Sequence, residues 1–146
     1  MKTLVIDASV AIKWVVEEPG TAEALALRRY RLSAPDLLVP ECANILWKKV
    51  RRKELSEAEA LLAARLLERA EVDLAPMRRL LEPATRLALA LDHPAYDCLY
   101  LALAQSTGCD FVTADERLCA KVRELGVPIR ALSLVANRPH VCGRKG

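Results

Sequence analysis

Short apolar runs alternate along the chain with longer stretches of helical periodicity. Residues 3–6, Thr-Leu-Val-Ile, form a β-branched run that suits a strand buried on both faces. Asp7 ends it, and residues 8–16 read as a helix stopped by Pro19-Gly20. Thr21 is placed to cap a second helix running to about Arg31. Residues 34–39 are a weaker strand, and Pro40 fits the first turn of a helix from Glu41 to about Lys53. Ser56-Glu57-Ala58-Glu59 reads as a capping box opening a helix to about Ala70. Residues 72–75 suit a strand, and residues 77–90 a helix kinked or broken at Pro83. Asp92 and Pro94 precede a helix over 95–106 that ends near Gly108. A strand at 111–113, a helix at 115–125 closed by Gly126, and a strand at 127–131 complete the pattern.

Strands alternating with helices predict an α/β fold with a largely parallel sheet covered on both faces. Neither a linker nor a composition shift divides the chain, so residues 1–137 are expected to form one domain. Residues 138–146 form a basic tail, expected to be loose. The helices at 21–31 and 56–70 hold more alanine and leucine than one buried stripe needs. Leu61, Leu62, Leu66 and Leu67 together make a wide apolar face, of the kind that marks an interaction site.

Composition narrows the class. The 146 residues are 53% hydrophobic and carry a net charge of only +3, which excludes intrinsic disorder. No apolar run approaches the roughly 18 residues that cross a bilayer, and residues 1–6 do not make a signal peptide. The expectation is a cytoplasmic protein with no membrane association. Five cysteines (Cys42, Cys98, Cys109, Cys119, Cys142) are odd in number and lack a C-x-x-C pair, which points to buried thiols in a reducing compartment. A thiolate zinc site lacks its spacing, and His93 and His140 are the only histidines that could complete one.

The informative residues are acids where packing has no use for them. Asp7 follows the first strand directly, and Asp115 stands just past the strand at 111–113. Glu41 lies in the first turn of a helix that follows a strand, and Asp97 near the start of an apolar helix. Ligands of open α/β sheets bind at the carboxyl edge of the strands. An acid in the first turn of a helix also stabilises the helix dipole by up to about 1 kcal/mol, which alone would account for Glu41, Asp97 or Asp115 singly. Four together would repel, and no lysine or arginine adjoins Asp7, Glu41 or Asp97 in sequence. Hard oxygen ligands around a divalent metal are the usual answer to such a cluster. A Gly-rich phosphate loop, a G-x-S-x-G elbow and an H-E-x-x-H motif are all absent.

Four strings carry a resemblance: Val5-Ile6-Asp7-Ala8-Ser9-Val10, Pro40-Glu41-Cys42-Ala43-Asn44-Ile45-Leu46, Tyr96-Asp97-Cys98-Leu99-Tyr100-Leu101-Ala102 and Val112-Thr113-Ala114-Asp115-Glu116-Arg117-Leu118. In this order and spacing the chain resembles PIN-domain nucleases from about residue 3 to 134, and within them the VapC-type toxins of bacterial and archaeal toxin–antitoxin pairs. The resemblance implies a three-layer α/β/α sandwich with a mainly parallel, roughly five-stranded sheet. It also implies a metal-dependent ribonuclease, a homodimer and an antitoxin partner. By motif position Asp7, Glu41, Asp97 and Asp115 match the acidic cluster, and Asn44, Ser9 and Thr113 the supporting polar positions. Cys42 and Cys98, each beside an acid, depart from the pattern.

Hydrolysis of RNA phosphodiester bonds needs an in-line water and stabilised charge on the phosphoryl oxygens, and one or two Mg²⁺ or Mn²⁺ ions can supply both. Asp7 and Asp97 are expected as direct ligands, with Asp115 and Glu41 holding a second ion or metal-bound waters. Asn44 would orient a ligand or water from the same helical face as Glu41. Thr113 has a rival role, since Thr113-x-x-Glu116 also reads as a capping box. With the four acids set aside, 22 basic residues face 15 acidic ones, leaving +7. The densest cluster, Lys48, Lys49, Arg51, Arg52 and Lys53, is either a phosphate-tracking RNA contact or a solvated helix end favoured by the dipole. The alternative to an enzyme is a catalytically silent module of the same fold, used for dimerisation or docking. A phosphoaspartyl enzyme would want an acid two residues past Asp7, where Ser9 stands.

Overall fold

A computed structural model describes residues 1–135. Five strands, β1 (Thr3–Ile6), β2 (Arg31–Pro35), β3 (Asp73–Ala75), β4 (Asp110–Thr113) and β5 (Ile129–Ala131), form one sheet in the order β3-β2-β1-β4-β5. Every pairing is parallel: Val5 stands opposite Ser33 on one side and Phe111 on the other. The sheet is the parallel, five-stranded one that the alternation of elements predicts. β1 lies at its centre, and Leu4, Val5 and Ile6 are all buried. Each such side chain contributes roughly 1.5–3 kcal/mol of hydrophobic stabilisation.

Helices α1 (Ala8–Ala11), α2 (Thr21–Ala26), α3 (Leu38–Arg51) and α4 (Glu57–Glu68) lie in the crossovers from β1 to β3. Helices α5 (Leu81–Leu91), α6 (Ala95–Thr107) and α7 (Glu116–Arg123) lie in the return through β4 to β5, and α8 (Leu132–Val135) follows. Right-handed crossovers running in opposite directions put these two groups on opposite faces of the sheet. The packing agrees: α1 packs on α3 and α3 on α4, whereas α5 packs on α6 and α6 on β1, β2 and β4. α6 is apolar almost all round because it is enclosed, burying Cys98 and Tyr100 to Ala104. Tyr100 stacks on Phe111 of β4 with ring centroids 5.7 Å apart.

Several boundaries differ from the sequence reading, each for a local reason. The helix expected over 8–16 is one α turn continued as a 3₁₀ turn, Ile12–Trp14. Thr21 does not cap α2. Its hydroxyl accepts from the Glu18 N–H and donates to the Val16 carbonyl, and Gly20, at φ 93°, makes the entry. The chain leaves α2 through Leu27–Arg29 and is already a strand at Arg31, so β2 comes earlier than 34–39 and α3 begins at Leu38. The break expected near Pro83 is a change from a 3₁₀ turn, Arg78–Leu80, to α5, and Pro83 lies in the first turn of α5, where the missing N–H costs nothing. The Ser56 capping box is present as expected. The expected tail 138–146 lies outside the described residues.

The topology fixes where a site can be. From β1 the chain steps to β2 on one side, and later returns to β4 on the other. The order of the sheet therefore reverses between β1 and β4, and a crevice opens at the carboxyl ends of those two strands. Asp7 ends β1 and Asp115 follows β4, so both acids stand at its mouth.

Candidate active site

Asp7 is the buried centre of the crevice. It caps α1, with Oδ1 accepting the Val10 N–H at 3.3 Å and the Ser9 hydroxyl at 2.5 Å. Oδ2 accepts the Thr113 hydroxyl at 2.5 Å. Burial pushes the Asp7 carboxyl up to about 6 from 3.8, the negative charge of Asp97 adds to the rise, and these hydrogen bonds hold it back. Ser9 is spent twice, since its oxygen also accepts the Ala114 N–H at 3.0 Å. Thr113 is fully buried, and its oxygen accepts the Asp115 N–H at 3.1 Å. Thr113 therefore does not cap α7, and its hydroxyl instead links Asp7 to the backbone of Asp115. The cap of α7 is Asp115 itself, whose Oδ1 accepts the Leu118 N–H at 3.0 Å.

The other two acids come from helices. Glu41, in the first turn of α3, accepts the Tyr100 hydroxyl on Oε1 at 2.7 Å. Burial raises its carboxyl above the ordinary glutamate value, and the charge of Asp97 raises it further. Asp97, in the first turn of α6, meets His93 Nε2 at 2.6 Å through Oδ2. Tyr100 and His93 are residues the sequence reading misses. Tyr100 reads as one more apolar position of α6, and His93 only as a candidate zinc ligand. The one signal available is spacing, His93 four residues before Asp97 and Tyr100 three after it.

Asp7 and Glu41 thus each sense the charge of Asp97, while Asp115 is tied in through Thr113. Among the described residues none of the four forms an ion pair with a lysine or arginine. Oε2 of Glu41, Oδ1 of Asp97 and Oδ2 of Asp115 keep no protein hydrogen-bond partner there. Such a set, all oxygen, anionic and uncompensated, is the chemistry of a hard divalent cation. Among the described residues no three His, Cys, Asp or Glu side chains stand close enough to hold an ion between them.

The remaining expected residues lie along α3, just past its end, and on α6. Asn44 is exposed one turn along α3 and makes no side-chain hydrogen bond among the described residues. Cys42 and Cys98 are buried thiols, and burial pushes Cys42 up to about 12, so both are inert at neutral pH. The basic cluster divides. Lys49 is drawn into the fold, pairing with Glu18 at 2.9 Å and Glu54 at 3.3 Å, while Lys13 holds the other oxygen of Glu18 at 3.0 Å. Arg51 lies over the Trp47 ring at 5.0 Å, and Lys53 takes φ 59° as the chain leaves α3. Lys48 and Arg52 are exposed, seven and eleven residues after Glu41, within about 20° of its helical face.

Fold and acidic crevice together define a PIN domain. The profile of that family matches residues 4–124, and the chain belongs to it. Among proteins similar to it is Ribonuclease VapC3 of Pyrobaculum aerophilum, 35% identical over 132 residues, covering 86% of this chain and 98% of that one. The fold is shared with the crystal structure of PAE2754 from Pyrobaculum aerophilum, at a TM-score of 0.69 and 23% identity, covering 94% of this chain and 91% of that chain. It is shared too with VapBC2 from Rickettsia felis, crystallised with a DNA fragment from their promoter, at a TM-score of 0.62 and 9% identity, covering 88% and 98% of the two chains.

Proposed function

We propose that the protein is a Mg²⁺- or Mn²⁺-dependent endoribonuclease, the toxin of a VapC-type toxin–antitoxin pair. The observation that carries the reading is the crevice at the carboxyl ends of β1 and β4, where Asp7 and Glu41 both feel the charge of Asp97, Asp115 is tied to Asp7 through Thr113, and among the described residues no lysine or arginine pairs with any of the four. The name of the similar VapC3 ribonuclease supports the activity. Asp7 and Asp97 would hold the metal directly, and Asp115 and Glu41 a second ion or the waters around the first. A bound divalent ion supplies an activated water and stabilises charge on the phosphoryl oxygens.

The chain's own residues prepare that chemistry. Ser9, Thr113 and the Val10 N–H hold Asp7 in one orientation and favour its ionised form against burial. Glu41, with its raised proton affinity, suits the role of accepting a proton at Oε2, while Tyr100 fixes Oε1. Asn44 offers an amide from the exposed turn above. Lys48 and Arg52, about 10 and 16 Å along α3 from Glu41, are suited to follow the phosphates of an RNA strand leaving the crevice.

Protein partners have a surface available. α4 exposes Leu61, Leu62 and Leu66, and α3 exposes Val39 and Trp47. A homodimer and an antitoxin would draw on such apolar area. Among the described residues no helix is long and apolar enough to cross a membrane. An RNA substrate and free thiols suit a cytoplasmic setting.

Bulk RNA incubated with Mn²⁺ tests the reading. The wild type is expected to cleave it, and Asp7→Asn and Asp97→Asn to be inactive while folded. Equal activity in Asp7→Asn, or none in the wild type, would overturn the assignment.

A further inference from the structure

His93 is held against Asp97 by a clamp of three segments. Asp92 ends α5 in the left-handed conformation, φ 49°, and its carbonyl accepts Lys121 Nζ from α7 at 2.8 Å. Pro94 follows His93 and restricts it to extended backbone. The His93 N–H donates to the Ala88 carbonyl at 3.1 Å. The imidazole then lies between two side chains, with Nε2 2.6 Å from Asp97 Oδ2 and Nδ1 3.4 Å from Lys121 Nζ.

Those two neighbours decide where the ring proton sits. An ammonium has only donors, so the nitrogen facing it must offer a lone pair. In the singly protonated ring these neighbours favour a bare Nδ1 and a proton on Nε2, pointing at the carboxylate. The other tautomer would set N–H against ammonium at one end and lone pair against carboxylate at the other.

We infer that His93 is a positioning residue for Asp97: Lys121 fixes it as the Nε2–H tautomer, and it holds Oδ2 of Asp97 so that Oδ1 is the oxygen left for a cation. A single N–H donor orients the acid through Oδ2 and leaves Oδ1 without a protein partner. Lys121 lies on the helix that Asp115 caps, so the clamp also ties the Asp97 side of the crevice to the Asp115 side. The role in cation binding rests on the metal-dependent reading above.

The chain has two histidines, so the ring tautomer can be read directly by long-range ¹H–¹⁵N correlation at pH 8.5, with His140→Gln for assignment. The expected pattern for His93 is Nε2–H, giving way to a mixture in Lys121→Met. A Nδ1–H pattern, or a pattern unmoved by Lys121→Met, overturns the inference. Calorimetric Mn²⁺ titration supplies the second arm. His93→Ala should bind about 10- to 100-fold more weakly, the loss typical of removing a group that orients a metal ligand. His93→Gln, whose amide N–H can stand in for Nε2–H, should recover most of it, with unchanged far-ultraviolet circular dichroism in both. Affinity within about twofold of wild type in His93→Ala would refute the role. A wild type that binds no Mn²⁺ would instead sink the metal reading, and the tautomer would still decide whether His93 donates to Asp97.

Discussion

Thr113 gives its hydroxyl hydrogen to Oδ2 of Asp7, 2.5 Å away, across the seam between the ends of β4 and β1. Thr113 Oγ1 in turn accepts the Asp115 N–H, so one hydroxyl sets the spacing between the acid after β1 and the acid after β4. Thr113→Val keeps the shape and removes both bonds. It should lower the unfolding free energy by about 1–3 kcal/mol, the cost of a buried group left unpaired. It should also push the Asp7 carboxyl higher still, because a hydrogen bond to its ionised form is gone. Urea unfolding and ¹³C NMR of the Asp7 carboxyl check the two effects, and Thr113→Ser should restore both.

The raised Asp7 carboxyl makes stability depend on pH in an unusual direction. Folded Asp7 titrates at about 6 against 3.8 as an ordinary aspartate. Between those values the unfolded chain has released a proton that the folded one retains, so this residue's contribution falls as pH rises from about 4 to 6. Below about 3.8 the penalty is absent, and above about 7 it is complete. At 1.36 kcal/mol per unit, the gap of roughly two units is worth about 3 kcal/mol. Asp7→Asn removes the penalty, though Ser9 and Thr113 must then share one amide oxygen. In EDTA at pH 7.5 the variant should be at least as stable as wild type, and the difference should shrink toward pH 4. A variant clearly less stable at pH 7.5 would contradict the electrostatic account.

Added divalent metal should reverse that balance. Binding to the folded state alone stabilises by about 2.7 kcal/mol at a hundred times Kd. At pH 7.5 Mn²⁺ should therefore raise the melting temperature of the wild type. At pH 5 the gain should be much smaller, since Asp7 keeps its proton there. Asp7→Asn and Asp97→Asn should lose the gain at both pH values. A shift of equal size in either variant would remove that acid from the ligand set.

What the sequence exposes and what it hides follow from the range of the forces involved. The strand at 3–6, the Ser56 capping box and the Gly108 stop of α6 are local, and they lie where composition puts them. The placement of Asp7 and Asp115 at strand ends is equally readable, because a charge after an apolar run has few other uses. The donors that hold the acids are not. Tyr100 reaches Glu41 across 59 residues, Thr113 reaches Asp7 across 106, and Lys121 reaches His93 across 28. Each depends on the order of strands, which no spacing reveals. Thr21 misleads for the opposite reason: its local rule is sound, but a tighter turn changes the position it occupies.

The basic end of α3 separates into structure and function by the same geometry, and mutation can show it. Lys49 is mostly buried between Glu18 and Glu54, and both partners' shifts agree: Glu18 is held below the ordinary glutamate value, even though burial opposes this, and the Lys49 ammonium is raised. Lys49→Ala should cost about 1 kcal/mol in urea unfolding, toward the upper end for a partly exposed pair, and leave RNA affinity nearly unchanged. Lys48 and Arg52 have no acidic partner among the described residues and share the face of Glu41. Replacing both with alanine should leave stability within about 0.5 kcal/mol of wild type. It should also lower the slope of log K against log salt by about 1.4, or about 0.7 for each single-strand phosphate that a cation no longer neutralises. Filter binding of a short RNA by Asp7→Asn, which prevents turnover, gives the slope across a salt series. The slope should fall in Lys48→Ala/Arg52→Ala and hold in Lys49→Ala. The opposite assignment would place the RNA path on the Glu18 side of α3.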